Sequence, residues 1–186
     1  MKVEIIQDVD VLNPLEDMDF TSKFIFFGKH SHLGHDHDVE LPRQYNSRFD
    51  FMEQGCIDVK KNFKWVLLIR PIHCYIHSGM SISYKYGYPY DDRWDSGTLG
   101  FQLVTREDWK KYHGGKQTHE NILNCMNEEV KLLDQWLQGE VYGFRITDDN
   151  GDEVDSCWGF YGSDPKTNGM YDHWSKEAIE AYEQQH

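Results

Sequence analysis

Between residues 118 and 138 apolar positions recur at steps of three and four: Ile122, Met126, Val130, Leu133 and Leu137 fall on one face. That is the period of an amphipathic helix, and Gly139 follows where a C-terminal cap belongs. Residues 2–7 alternate with the period of two that marks a strand. Further strands fall at 22–28 (SKFIFFG, rich in Phe and Ile), 64–69 (KWVLLI, a buried run after which Pro71 marks an end or an edge) and 98–104 (TLGFQLV), with two short strands near 73–77 and 80–84. Thr105 and Asp108 have the spacing of a capping box at the start of a helix. Val141–Thr147 and Glu153–Phe160 flank Asn150-Gly151, a hairpin turn signal. Residues 8–19, with Asn13-Pro14, read as a loop, 42–54 as a helix with Pro42 in its first turn, and 171–184 as an amphipathic C-terminal helix. Strands thus come as neighbours joined by short turns. The pattern predicts a single α+β domain over 1–186: a mainly antiparallel sheet with helices on one side, one long amphipathic helix (about 118–138) and a C-terminal helix packed on it.

Composition sharpens this picture. The chain has 186 residues and 15% aromatic side chains, which excludes a disordered polymer. Its formal net charge of −13 argues against a direct grip on nucleic-acid phosphates. A basic protein partner, a cation or plain solubility remain. The charge is uneven, with −3 over residues 1–93 and −10 over 94–186. Cys56, Cys74, Cys125 and Cys157 contain no CxxC pair, so neither a zinc ribbon nor a thioredoxin motif is indicated. Free thiols suit a reducing cytoplasm. The opening MKVEIIQDVDVL lacks the apolar run of a signal peptide, and no stretch approaches the ~20 apolar residues of a membrane span.

Four candidate chemistries follow. His30, His32, His35 and His37 alternate with Asp36 and Asp38 within nine residues, and imidazole with carboxylate suits a divalent transition metal such as Zn²⁺, Ni²⁺, Mn²⁺ or Fe²⁺. His73 and His77, in IHCYIHSG, are the candidate further ligands. With them the loop would make a metal-dependent hydrolase, against the plainer reading of a solvated loop. In VDSCWGF, Cys157 beside Asp155 could act as a nucleophile if the fold brought His77 to it as base; packing of Cys157 in a strand is the alternative. The tip DDNGDEVD fails as a calcium loop, because Ile146 falls where the first acid is required. Last, Tyr88, Tyr90, Asp91, Asp92, Trp94 and Asp95, with Asp148, Asp149, Asp152 and Glu153, offer an acidic and aromatic surface of the kind that binds proteins.

The segments WDSG (94–97), VYGF (141–144) and DSCWGFYG (155–162), preceded by Leu33-Gly34-His35-Asp36-His37-Asp38 and His77-Ser78-Gly79, resemble a family of small uncharacterised proteins carried by bacteriophages and other mobile elements. The chain departs from that pattern at Ile76 and His35, where the family more often has Asp. The resemblance implies a phage-encoded accessory protein in the cytoplasm of a bacterial host and carries no catalytic residue with it. Together with the charge, it leads to the expectation of a binder that inhibits or redirects a host protein, itself nucleic-acid-binding and part of a defence system of the anti-CRISPR or anti-restriction target type. An enzyme is the lesser expectation.

Overall fold

The computed structural model describes residues 1–42, 44–85, 94–114 and 117–185. In chain order its elements are β1 (Lys2–Gln7), α1 (Pro14–Asp17), β2 (Lys23–Phe26), a 3-10 stretch (Gly28–Leu33), α2 (Arg48–Lys60), β3 (Val66–Ile76), β4 (Met80–Ser83), β5 (Ser96–Thr105), α3 (Arg106–His113), α4 (His119–Leu137), β6 (Val141–Thr147), β7 (Glu153–Tyr161), a 3-10 turn (Met170–Asp172) and α5 (Lys176–Gln185). The fold is α+β, and every strand pair is antiparallel. The strands form two sheets, ordered β1-β6-β7 and β2-β5-β3-β4. The chain divides into two compact units: unit 1 is residues 1–12 and 135–186, unit 2 is residues 13–134. Among the described residues no helix is long and apolar enough to cross a membrane.

Unit 2 holds the four-stranded sheet between helices on both faces, where the sequence pattern had them on one. Ile25, Phe101 and Leu103 turn to one face and pack with Val59 and Phe51 of α2. Val104 and Leu68 turn to the other and meet Trp109 of α3 and Ile122 and Met126 of α4. The capping box at Thr105 and Asp108 is formed in both directions. A polar network lies within this core. Gln102, fully buried, donates to Ser22 Oγ (2.7 Å) and to the Met126 carbonyl (3.0 Å), and its Oε1 accepts from Arg70 Nε (2.9 Å). Glu129 of α4 accepts from the backbone N–H groups of Thr21 and Ser22, fixing the entry to β2. Burial lowers the Arg70 guanidinium pKa to about 10, opposed by Tyr84, over whose ring it lies at 3.8 Å, and by Glu129.

Three local features of unit 2 depart from the sequence pattern. Asn13-Pro14 is a helix start: Asn13 caps α1 by accepting from the Leu15 N–H, and Pro14 is its first residue. The next helix begins at Arg48, because Ser47 caps it through the Asp50 N–H, and Pro42 lies outside it. β3 runs through Pro71 to Ile76 in one piece. β4 pairs only with His73–Ile76, so at Pro71 one side of β3 is an edge, where a missing N–H is tolerated.

In unit 1 the sheet packs one face on α5 and the segment before it. Val3, Phe144, Ile146 and Phe160 form a core with Met170, Trp174 and Ala178. Ser175 Oγ accepts from the Ala178 N–H at the first turn of α5. Trp136 Nε1 donates to the Val11 carbonyl (3.2 Å), tying the segment after β1 to the end of α4.

Candidate functional site

The histidine-rich segment lies against β2, an edge strand of the larger sheet. The His35 N–H donates to the Phe24 carbonyl (2.8 Å), and the Phe24 N–H donates back to His35 Nδ1 (3.0 Å). His37 Nε2 donates to the Phe26 carbonyl (2.8 Å), while its Nδ1 accepts from the Val39 N–H (3.2 Å). The two imidazoles do share a face, as period two predicts, but that face is the β2 backbone. They replace a missing strand by satisfying the edge groups of Phe24 and Phe26. Gly34 permits the close approach, since a Cβ there would lie 2.7 Å from the Phe24 carbonyl oxygen. Burial, chiefly, and then Lys23 hold the His35 pKa below the usual histidine value.

Both ring nitrogens of His37 and Nδ1 of His35 are therefore engaged by backbone. The other candidate ligands are dispersed. His30 and His32 lie on the 3-10 stretch with ring centroids 6.3 Å apart, and burial lowers the His30 pKa, with Lys29 adding to it. His73 is fully buried on β3, its Nδ1 3.3 Å from Thr98 Oγ1, and burial pushes its pKa down to about 4, Arg48 contributing. His77 is exposed and pairs through Nδ1 with Asp95 (2.8 Å). Among the described residues no three His, Cys, Asp or Glu side chains form a group that could hold a metal ion.

What the segment does build is the wall of a cleft of about 680 Å³ within unit 2. Five carboxylates line it (Glu16, Asp19, Asp36, Asp38 and Asp108) against Lys23 and Lys111. Lys23 pairs with Asp108, and Lys111 donates to Tyr112 Oη (2.6 Å), which donates to Asp19 (3.2 Å). The remaining acids leave the lining of the cleft net negative.

Cys157 and Asp155 are on β7 of unit 1, and His77 belongs to unit 2. Cys157 packs against the core around Phe144. A cysteine–histidine contact does occur elsewhere and carries no sequence signal: Cys125 Sγ lies 3.7 Å from His113 Nε2 and 3.7 Å from Glu129. Burial raises the Cys125 pKa, opposed by a hydrogen bond with Thr21, and the Glu129 carboxylate adds to the rise, which disfavours the thiolate form.

The acidic and aromatic surface is described in part. Tyr88, Tyr90, Asp91 and Asp92 lie outside the described residues. Trp94 is 95% exposed, beside Asp95. At the unit 1 hairpin, Asp148 accepts from the N–H groups of Asn150 (2.8 Å) and Asp152 (3.0 Å), which holds its carboxyl below the usual range. Asp149 pairs with the N-terminal ammonium, and Glu153 with Arg145 (3.1 Å). Asp152 and Asp155 have no ion pair among the described residues. β7 is an edge strand with Val154 and Trp158 exposed (59% and 45%). The indole of Trp158 lies across Gly143 of β6, where a Cβ would come within 2.2 Å of the ring. The VYGF and DSCWGFYG segments thus meet as one cross-strand pair.

No family model matches the chain, and no curated protein or solved structure matches it either.

Proposed function

We propose that this chain is a binder whose target is a basic protein, engaged by the hairpin and outer strand of unit 1. The observation that carries this reading is the open edge of β7. Among the described residues no strand pairs with its outer side, and with two exposed apolar side chains and acids at its turn it can add a complementary strand or loop. Charge supports the choice of partner, since unit 1 holds four basic and fourteen acidic side chains, a net of −10. Such a field speeds encounter with a basic surface and weakens with salt. A groove that ordinarily holds nucleic acid has this complementary charge, so occupying it would compete with nucleic acid. The resemblance to phage and mobile-element proteins supplies the setting: an accessory protein in a bacterial cytoplasm, acting on a host defence component of the anti-CRISPR or anti-restriction target type.

The test is affinity capture from bacterial lysate with wild-type protein and with a variant carrying Asp152→Asn, Val154→Lys and Asp155→Asn. A specific basic protein retained at low salt, released at high salt and not retained by the variant is the expected result. Equal retention by both proteins would overturn the assignment to β7, and the absence of any specific partner at low salt would overturn the binder reading.

A further inference from the structure

Trp65 is the one non-glycine residue with a positive φ (54°) among the described residues. A bulky side chain is disfavoured in the left-handed region, and such outliers collect at functional sites. Nothing in the core explains it, because the indole is 76% exposed. The turn is held in place nonetheless: the Arg106 N–H donates to the Trp65 carbonyl (2.9 Å), and Val66 pairs with Thr105 at the start of β3. The effect is to stand an aromatic face at the rim of an open depression of about 480 Å³, lined also by Arg106, Glu107 and Lys110 of α3. Arg106 and Lys110 are four residues apart on the helix, and Lys64 precedes Trp65; none of the three has an ion pair or hydrogen bond from its side chain among the described residues. Two first-turn amides of α3 are already used, on Trp65 O and Thr105 Oγ1, so anion affinity here comes from the side chains.

We propose that this depression binds a planar base carrying a phosphate, with the base stacked on Trp65 and the phosphate held by Arg106 and Lys110. An exposed indole offers a stacking platform for any base, and unpaired guanidinium and ammonium groups are the usual phosphate ligands. The volume falls within the roughly 300–1,000 Å³ of small-molecule sites. The net charge of −13 repels a long phosphate backbone, so a mononucleotide is the expected source and a strand end the other. The site belongs to unit 2 and does not depend on the binder reading.

The experiment is titration at low salt with adenosine monophosphate, adenosine, inorganic phosphate and a decameric oligo-deoxyadenosine, followed by amide chemical shifts. The nucleotide should bind about tenfold or more tightly than adenosine or phosphate alone. A decamer bound no more than a few-fold tighter identifies a free nucleotide as the source; one bound about a hundredfold tighter identifies a strand end. Trp65→Gly removes the platform at a position whose backbone suits glycine, so it should stay folded and lose about tenfold in affinity. Arg106→Gln with Lys110→Gln should lower nucleotide affinity and leave adenosine unchanged. Failure of both nucleotide and decamer to bind at millimolar ligand, or binding undiminished in folded Trp65→Gly, overturns the proposal.

Discussion

The two units treat their sheet edges and charges in opposite ways. Unit 2 covers the β2 edge with His35 and His37, and of its eight histidines one, His73, is sealed in the sheet. Its acids are nearly balanced: fifteen basic and eighteen acidic side chains in 122 residues. Unit 1 leaves the outer side of β7 without a partner strand among the described residues, and it holds a net of −10 in 64 residues, with only Arg145, Lys2, Lys166 and Lys176 to offset its acids. An open edge invites uncontrolled pairing with a second copy. Here like charge repels that second copy while attracting a basic partner, so acidity and the open edge make sense together. The same acidity on a closed sheet would only cost stability through self-repulsion.

The largest effect that separates the units comes from their cores. Phe144 is fully buried in unit 1, with Phe160 (5.8 Å) and Trp174 (5.6 Å) against its ring. Phe144→Ala should cost about 3–5 kcal/mol in urea denaturation. Hydrogen exchange should show the loss first in β1, β6 and β7. Equal loss in β2, β3 and β5 would show the two units behaving as one cooperative block.

Acid sharpens the contrast next. The buried His73 has a pKa of about 4 in the folded chain, below the ordinary histidine value of about 6.5. The unfolded chain therefore binds the extra proton between those values. Stability is complete above about pH 6.5, falls as pH drops toward 4, and the contribution is exhausted below that. The loss is on the order of 3 kcal/mol, and it belongs to unit 2. The depressed Asp148 carboxyl of unit 1 acts lower, losing its contribution only as pH falls below the ordinary aspartate range. Urea midpoints at pH 7, 5.5 and 4.5 should fall for the wild type, and His73→Asn should flatten that slope.

Much of this fold is legible where side-chain period and caps agree. The long helix is His119–Leu137, with Ile122, Met126, Val130 and Leu133 buried as the spacing demands. The capping box at Thr105 and the Asn150-Gly151 turn are where the sequence puts them. Misplacements arise where one residue serves two grammars. Asn13-Pro14 marks a loop or a helix start with equal force, and α2 exposes Phe49 and Ile57, which blurs its periodicity. The site is less legible. Alternating histidines look the same whether they converge on an ion or on a neighbouring backbone. That His35 and His37 meet β2 depends on Gly34 and on which strand lies at the edge, both tertiary facts. Trp65 is invisible for the same reason, because a left-handed φ at a tryptophan has no sequence mark.

A smaller effect probes the surface of unit 1. Gly143→Ala would drive a methyl group into the Trp158 ring. Overpacking of this kind costs about 2 kcal/mol; Trp158 is half-exposed and can swing outward, but the Cys157 carbonyl oxygen, 2.9 Å from the new Cβ, belongs to the β7 backbone and cannot. Trp158 emission should therefore shift to the red while part of the loss of stability remains. A large loss with no spectral change would mean that the indole is locked in place, making β7 a rigid edge rather than an adaptable one.

The smallest effect asks whether the β2 edge is covered by hydrogen bonds or by an ion. His35→Ala leaves the buried Phe24 N–H without its acceptor, which costs about 1–2 kcal/mol once water partly enters. The loss should be recovered in part by His35→Asn, whose side-chain oxygen can accept the same N–H, although asparagine is a poorer ligand for zinc or nickel. Neither the wild type nor the variants should change melting temperature on adding Zn²⁺ or a chelator, because His37 has both ring nitrogens on backbone. If Zn²⁺ instead raised the wild-type melting temperature and His35→Asn abolished that rise, the segment would be a metal site after all. The edge of β2 would then be covered only when metal is bound, and the contrast between a covered β2 edge and an open β7 edge would depend on metal supply.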